Sequence, residues 1–164
     1  MMKTVKSILV IAAMCFAAGL SISVRAQPTK RLSPDALVSD LYRAHNGKHS
    51  PFFQTRSRAL LYKYFEKSLA DMIWKDAVGS KKEVGAIDGD PLYDAQDMDI
   101  KKFTIGKPTY ENGKSLVSVS FENFGQQKTI VFILVNGHSG WRISDLDYGQ
   151  GRTLRGDLKG TSRP

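Results

Sequence analysis

Val117-Ser118-Val119-Ser120-Phe121-Glu122 alternates apolar and polar side chains one by one. A strand sends successive side chains to opposite faces, so this stretch predicts a sheet with one face buried and one facing water. After a turn at Gly125-Gln126, residues 129–135 form an unbroken apolar run, which predicts a central strand covered on both faces. Asn136-Gly137-His138-Ser139-Gly140 reads as a hairpin loop, and residues 141–148 as the closing strand. Upstream, residues 100–106 make the first strand, ended by Lys107-Pro108. The tail 149–159 is expected to hold only a helical turn around Leu154 and Leu158.

Two helices are expected before the sheet. Ser33-Pro34-Asp35 is a start signal: a serine cap, proline at the first helical position and an acid in the first turn. Leu37, Val38, Leu41 and Tyr42 recur at three- and four-residue spacing, and Asn46-Gly47 stops the helix. A longer helix is expected over residues 56–78, with Thr55 as its cap. Leu61, Phe65, Leu69, Met72 and Ile73 fall on one of its faces, while Leu60, Tyr64 and Trp74 widen the apolar surface. Two helices followed by four antiparallel strands predict an α+β domain, its curved sheet wrapped around the long helix.

The first 26 residues have the layout of a secretory signal. Lys3 and Lys6 precede a thirteen-residue uncharged run, residues 8–20, and Val24-Arg25-Ala26 supplies a cleavage site. Thirteen residues fall short of the roughly 20 that span a bilayer. Cleavage after Ala26 removes 26 of the 164 residues, Lys3, Lys6 and Arg25 among them. That leaves 138 residues and lowers the net charge from +8 to +5. It also removes Cys15, the single cysteine, so disulfides, thiolate zinc sites and thiol catalysis are excluded from the mature chain. The reading is an exported, periplasmic protein without a transmembrane span after cleavage. Residues 27–33 form a flexible lead, and residues 34–160 a single domain. Nucleic acid is disfavoured as a partner by the compartment.

Residues 83–99 follow neither period. Asp88, Asp90, Asp94, Asp97 and Asp99 lie within twelve residues there. Aspartates cap turns and accept backbone N–H groups, and that is the role first expected of them. A hard cation would need six to eight oxygens, but Pro91 and the lack of a closing glutamate break the EF-hand spacing, so no metal is assigned. His45 and His49 have the i, i+4 spacing of a metal pair, which Asn46-Gly47 interrupts. His138 falls in the hairpin loop. Gln96 and Asp97 sit where the connector turns into the first strand. Tyr42, Tyr62 and Tyr64 with Asp97 compose an acid–base set if the fold gathers them, and otherwise the tyrosines are packing residues. Trp141 is expected to pack against the long helix.

Asp88-Gly89-Asp90-Pro91-Leu92-Tyr93-Asp94-Ala95-Gln96-Asp97, the ending Gly140-Trp141-Arg142-Ile143-Ser144-Asp145 with Leu154-Arg155, and the helix through Leu60 and Trp74 carry a resemblance. Together they resemble the bacterial YbjP/YqhG-type envelope domain, a family of unknown function with a nuclear transport factor 2-like fold. The resemblance covers residues 34–158. It implies two helices packed on a four-stranded antiparallel sheet as a cone, and an envelope location. It implies no reaction and no cofactor. The functional expectation is a non-enzymatic binding or protein-interaction module, an immunity-type partner being one form. The alternative is a small-molecule pocket protein, either a carrier or an acid–base enzyme with Asp97 as base. The binding candidates are Asp88, Asp90, Asp94, Gln96, Asp97, Tyr42, Tyr64 and Trp141. The expected partner is an envelope protein or a small ligand, with homodimerisation left open.

Overall fold

A computed structural model describes residues 31–79 and 85–160. The expected signal segment, most of the flexible lead, and part of the connector at residues 83 and 84 lie outside the described residues. The elements run α1 (Pro34–Asn46), α2 (Ala59–Tyr64), α3 (Lys67–Gly79), β1 (Ile100–Ile105), β2 (Thr109–Glu111), β3 (Lys114–Asn123), β4 (Gln126–Gly137), β5 (Gly140–Gly149), β6 (Arg152–Thr153) and α4 (Leu154–Lys159). Among the described residues no helix is long and apolar enough to cross a membrane.

The strands form one antiparallel sheet in the order β1-β3-β4-β5-β6, with β2 added to β3. The chain is thus an α+β domain with a curved sheet, as expected. Its sheet is larger than the expected four strands, because β2 and β6 are three- and two-residue additions too short to show a period in the sequence. The central hairpin is in full register from Lys114 opposite Val135 to Asn123 opposite Gln126. On the inner face Val117, Val119, Phe121, Ile130, Phe132, Leu134, Ile143 and Leu146 are buried. The alternation in β3 therefore sets the buried face as read. The run in β4 does not: Val131, Ile133 and Val135 on the other face are only half-buried. Leu116 and Ile133 face one another across β3 and β4, so apolar side chains there shelter one another across strands and no covering layer is required.

Helix α1 forms as its signals predict, with Leu37, Val38, Leu41 and Tyr42 turned into the core. The cap works differently, since the Ser33 hydroxyl donates to Asp35 Oδ1 at 2.6 Å and the Ser33 carbonyl takes the first helical N–H, from Leu37. The expected long helix is broken in two. Phe65 leaves helical geometry for an extended conformation and makes a parallel bridge to Ile143, while Glu66 N–H donates to the Ile143 carbonyl at 2.8 Å. The reason is tertiary: the edge of β5 captures two residues, and the Phe65 ring gains a buried seat against Phe52, centroids 5.4 Å apart. A phenylalanine and one backbone pair outweigh the modest helical preference of this stretch. Leu61, Leu69 and Ile73 are nonetheless buried as the helical spacing requires.

The connector joins the sheet through one side chain. Asn123 is buried at the end of β3, where its amide donates to the Asp97 carbonyl at 3.2 Å and its Oδ1 accepts Asp99 N–H at 2.8 Å. Asn123→Ala is expected to lower stability by about 1–3 kcal/mol, because it strands a backbone N–H beside a buried site. Urea denaturation measures the loss.

Candidate functional site

The aspartate-rich connector is tied down residue by residue. Asp76 of α3 receives the N–H groups of Ala86 and Ile87 at 2.7 and 3.3 Å. Asp90 and Ala95 then close a short antiparallel bridge, with Asp90 N–H donating to the Ala95 carbonyl at 2.7 Å. Inside this turn the Asp90 carboxylate accepts Leu92 N–H at 2.9 Å, an aspartate turn of the kind its residue type favours. Its other oxygen lies 2.6 Å from His45 Nε2. The opposite ring nitrogen of His45 is 2.8 Å from Ser50 Oγ. With Nε2 protonated, His45 donates to Asp90 and accepts from Ser50, whose oxygen also takes the Phe52 N–H at 3.2 Å. The composition is that of a serine–histidine–aspartate relay, but its oxygens are spent on turns at both ends. It works as a clamp between the end of α1 and the connector.

Gly89 is required by close approach. A Cβ there would lie 2.9 Å from the Ala95 carbonyl oxygen, nearer than side chains tolerate. The apolar half of the turn is held by buried phenols. Tyr42 donates to the Leu92 carbonyl at 2.6 Å and Tyr148 to the Pro91 carbonyl at 3.1 Å. Tyr93 exchanges hydrogen bonds with the Asn46 amide. Leu92 and Tyr93 are buried in the core, and the Tyr93 ring meets Phe121 edge-on at 5.4 Å.

The tail completes the site. Arg152 of β6 binds both oxygens of Asp94, reaches Asp157 of α4 at 3.4 Å and lies over the Tyr148 ring at 4.6 Å. Lys128 of β4 adds a bond to the Asp94 carbonyl at 2.8 Å. Thr153 caps α4 by accepting Gly156 N–H. Between connector and tail lies an open groove of about 560 Å³. Asp88, Asp90, Asp94, Gln96, Arg152 and Asp157 supply its polar groups, with Tyr148 and Leu154 among its other lining residues. Four carboxylates against one guanidinium make the groove acidic on a chain whose net charge is +8.

Of the expected binding residues, Asp88, Asp90, Asp94 and Gln96 share this groove, and Tyr42 holds the connector through Leu92. Asp97 is exposed outside the groove lining, on the side facing β3. Tyr64 lies on α2 and donates to Asp40 at 3.0 Å, and Tyr62 donates to Asp71 at 2.7 Å. The fold therefore does not assemble Tyr42, Tyr62, Tyr64 and Asp97 into one set, because each phenol already has a separate partner. Trp141 is half-buried at the far end of β5, and the ring nearest it is that of Tyr110 in β2, at 6.1 Å. It packs against the margin of the core and adds a ring contact to an aromatic of an edge strand. His45 ends α1 and His49 lies beyond it, so the pair does not share a helix face. The contributions of Arg152, Asp157 and Tyr148 were not foreseen. The available signal was the lone charge of Arg152 just after the Gly149-Gln150-Gly151 turn, in a chain whose connector holds an excess of aspartates.

The fold and groove define an α+β domain in which residues 85–96 form an acidic wall. The chain matches no protein-family model, no curated protein and no solved structure.

Burial is the main cause that raises the ionisation of Tyr42 and Tyr148 above the usual phenol value of 10.0, with Asp90 and Asp94 respectively adding negative charge nearby. Raised folded-state values mean that the neutral phenols contribute their full stability below pH 10 and lose it as the pH climbs further. Melting temperature is expected to hold on the approach to pH 10 and fall beyond it, with a shallower fall in Tyr148→Phe. Gly89→Ala is expected to destabilise by about 1–3 kcal/mol through overpacking against Ala95, read as a shifted urea midpoint.

Proposed function

We propose that this chain is an exported envelope domain of the nuclear transport factor 2-like kind, resembling the YbjP/YqhG type, that acts as a non-enzymatic protein-interaction module. The acidic groove receives a basic, polar segment of a protein partner. One observation carries the reading: residues 86–97 of the connector are held by hydrogen bonds from the surrounding elements, and they turn Asp88, Asp94 and Gln96 into one wall of an open, hydrogen-bonding groove. A preformed wall lowers the ordering cost of binding, and carboxylates facing a basic segment steer and select it.

Support also comes from the space between helices and sheet. Tyr42, Phe52, Tyr64, Phe65, Tyr93, Phe121 and Phe132 are buried there, as a packed interior requires. An interior filled by rings favours recognition at the surface over an enclosed substrate chamber. Arg152 and Lys128 offset part of the charge through their pairs with Asp94 and Asp157, and the four carboxylates of the lining still outnumber them. Asp88 is exposed on the groove rim, where a partner's cation reaches it without disturbing the fold.

A photo-reactive residue in place of Gln96, expressed in the native cell, tests this. A single protein adduct is expected at Gln96, weakened several-fold by Asp88→Lys and by high salt, and absent when the probe replaces the exposed Glu111 of β2. Equal labelling at Gln96 and Glu111, or an adduct indifferent to Asp88→Lys, would overturn the reading.

A further inference from the structure

The turn between β3 and β4 carries a residue that its own geometry disfavours. Asn123 and Gln126 are the last pair of the hairpin, so Phe124 and Gly125 form a two-residue turn. Both have positive φ, 48° and 80°. That is the mirror-image turn that suits the twist of paired strands and is normally filled by Asn-Gly, Asp-Gly or Gly-Gly. Gly125 fits. Phe124 does not: a bulky side chain in left-handed backbone is strained, and the ring has no core to reward it, being 62% exposed. The turn keeps an aromatic at its apex against both backbone preference and solvent.

A second apolar side chain stands beside it. The Asn123 amide grips the backbone at Asp97 and at Asp99, which fixes Met98 next to the turn, and Met98 is 48% exposed. The neighbouring lysines already have partners. Lys101 pairs with Asp99 at 2.7 Å, Lys102 with Glu122 at 2.7 Å, and Lys128 with Asp94 at 3.8 Å. Gln126 and Gln127 form a neutral polar collar behind the apex.

We propose that this turn inserts shallowly into the surface of an anionic lipid bilayer, with Phe124 and Met98 as the inserting side chains. A lipid interface accepts a protruding ring without a matching pocket, and aromatic residues settle at the headgroup level. The net charge, +8 for the full chain and +5 after cleavage at Ala26, draws it toward an anionic surface at long range. Lys101 and Lys102 are long enough to keep their charged ends among the headgroups while the tip enters. Ion pairs around the tip mean that entry strands no lysine without a partner. The exposed carboxylate of Asp97 beside Met98 limits the depth. The device is separate from the groove, which shares none of the inserting residues.

The strain supplies a test that separates binding from folding. Phe124→Asn installs the residue that the turn prefers, so its melting temperature is expected to equal or exceed that of the parent chain. Its partition onto vesicles of phosphatidylethanolamine and phosphatidylglycerol is expected to fall about tenfold, the order lost with one inserted aromatic. The apolar run at residues 8–20 contributes equally to both chains, so the comparison isolates the tip. Phe124→Trp reads the tip directly: its added emission is expected to shift to the blue on these vesicles and to be quenched by brominated lipid. Unchanged partition in Phe124→Asn together with an unmoved emission in Phe124→Trp would overturn the proposal. So would a photo-reactive residue at position 124 that captures a protein while the vesicles leave it dark.

Discussion

The Asp90 carboxylate holds the molecule's least regular segment in place. One oxygen fixes the turn on itself through Leu92 N–H, and the other fixes that turn to α1 through His45. Both links are local in energy and long in consequence. They bring Pro91, Leu92 and Tyr93 into the core at the point where Tyr42 and Tyr148 reach for their carbonyls. A connector of this length without a period has many backbone groups to satisfy, and buried groups left unsatisfied are costly. Here side chains from α1, α3, β3, β4 and β5 supply the partners that a helix or ladder would have supplied.

The same substitution of tertiary for local bonding explains the broken helix. Glu66 N–H goes to the Ile143 carbonyl, so β5 does for Phe65 and Glu66 what another helical turn would have done. Further along, the Glu66 carboxylate meets Arg155 at 3.3 Å, and Arg155 donates to the Ser144 carbonyl at 2.9 Å. Thus β5 is gripped from α2–α3 on one flank and from α4 at its end. The sheet edge that would otherwise stand open is covered, a common way to keep an edge from pairing with other chains.

How much of this was written in the sequence depends on the range of the interaction. Residues 117–122 alternate because one face is buried, and that is a local pattern, so β3 and its inner face were legible. Pro34 and Gly47 mark α1 for equally local reasons. The break at Phe65 was not legible, since the spacing of Leu61, Phe65 and Leu69 is the same in one helix or in two short ones. The role of His45 was not legible, because spacing along a helix is visible in the chain, whereas a bond to Asp90, 45 residues away, is not. The groove was half legible. Its aspartate wall is contiguous in sequence, but its Arg152–Asp157 wall exists only after the sheet has formed. Tyr64 and Trp141 were drawn into the candidate set by residue type alone, and the fold places them elsewhere.

That division also has a direction. In chain order the acidic connector precedes Tyr148, Arg152 and Asp157, so the groove has both its sides only once the C-terminal strand and helix are in place. The groove is completed by a short downstream strand and helix, which set Arg152 and Asp157 against the connector that Asn123, Lys128 and Tyr148 hold. Loss of that closing piece would leave the central hairpins paired and the groove with one side only.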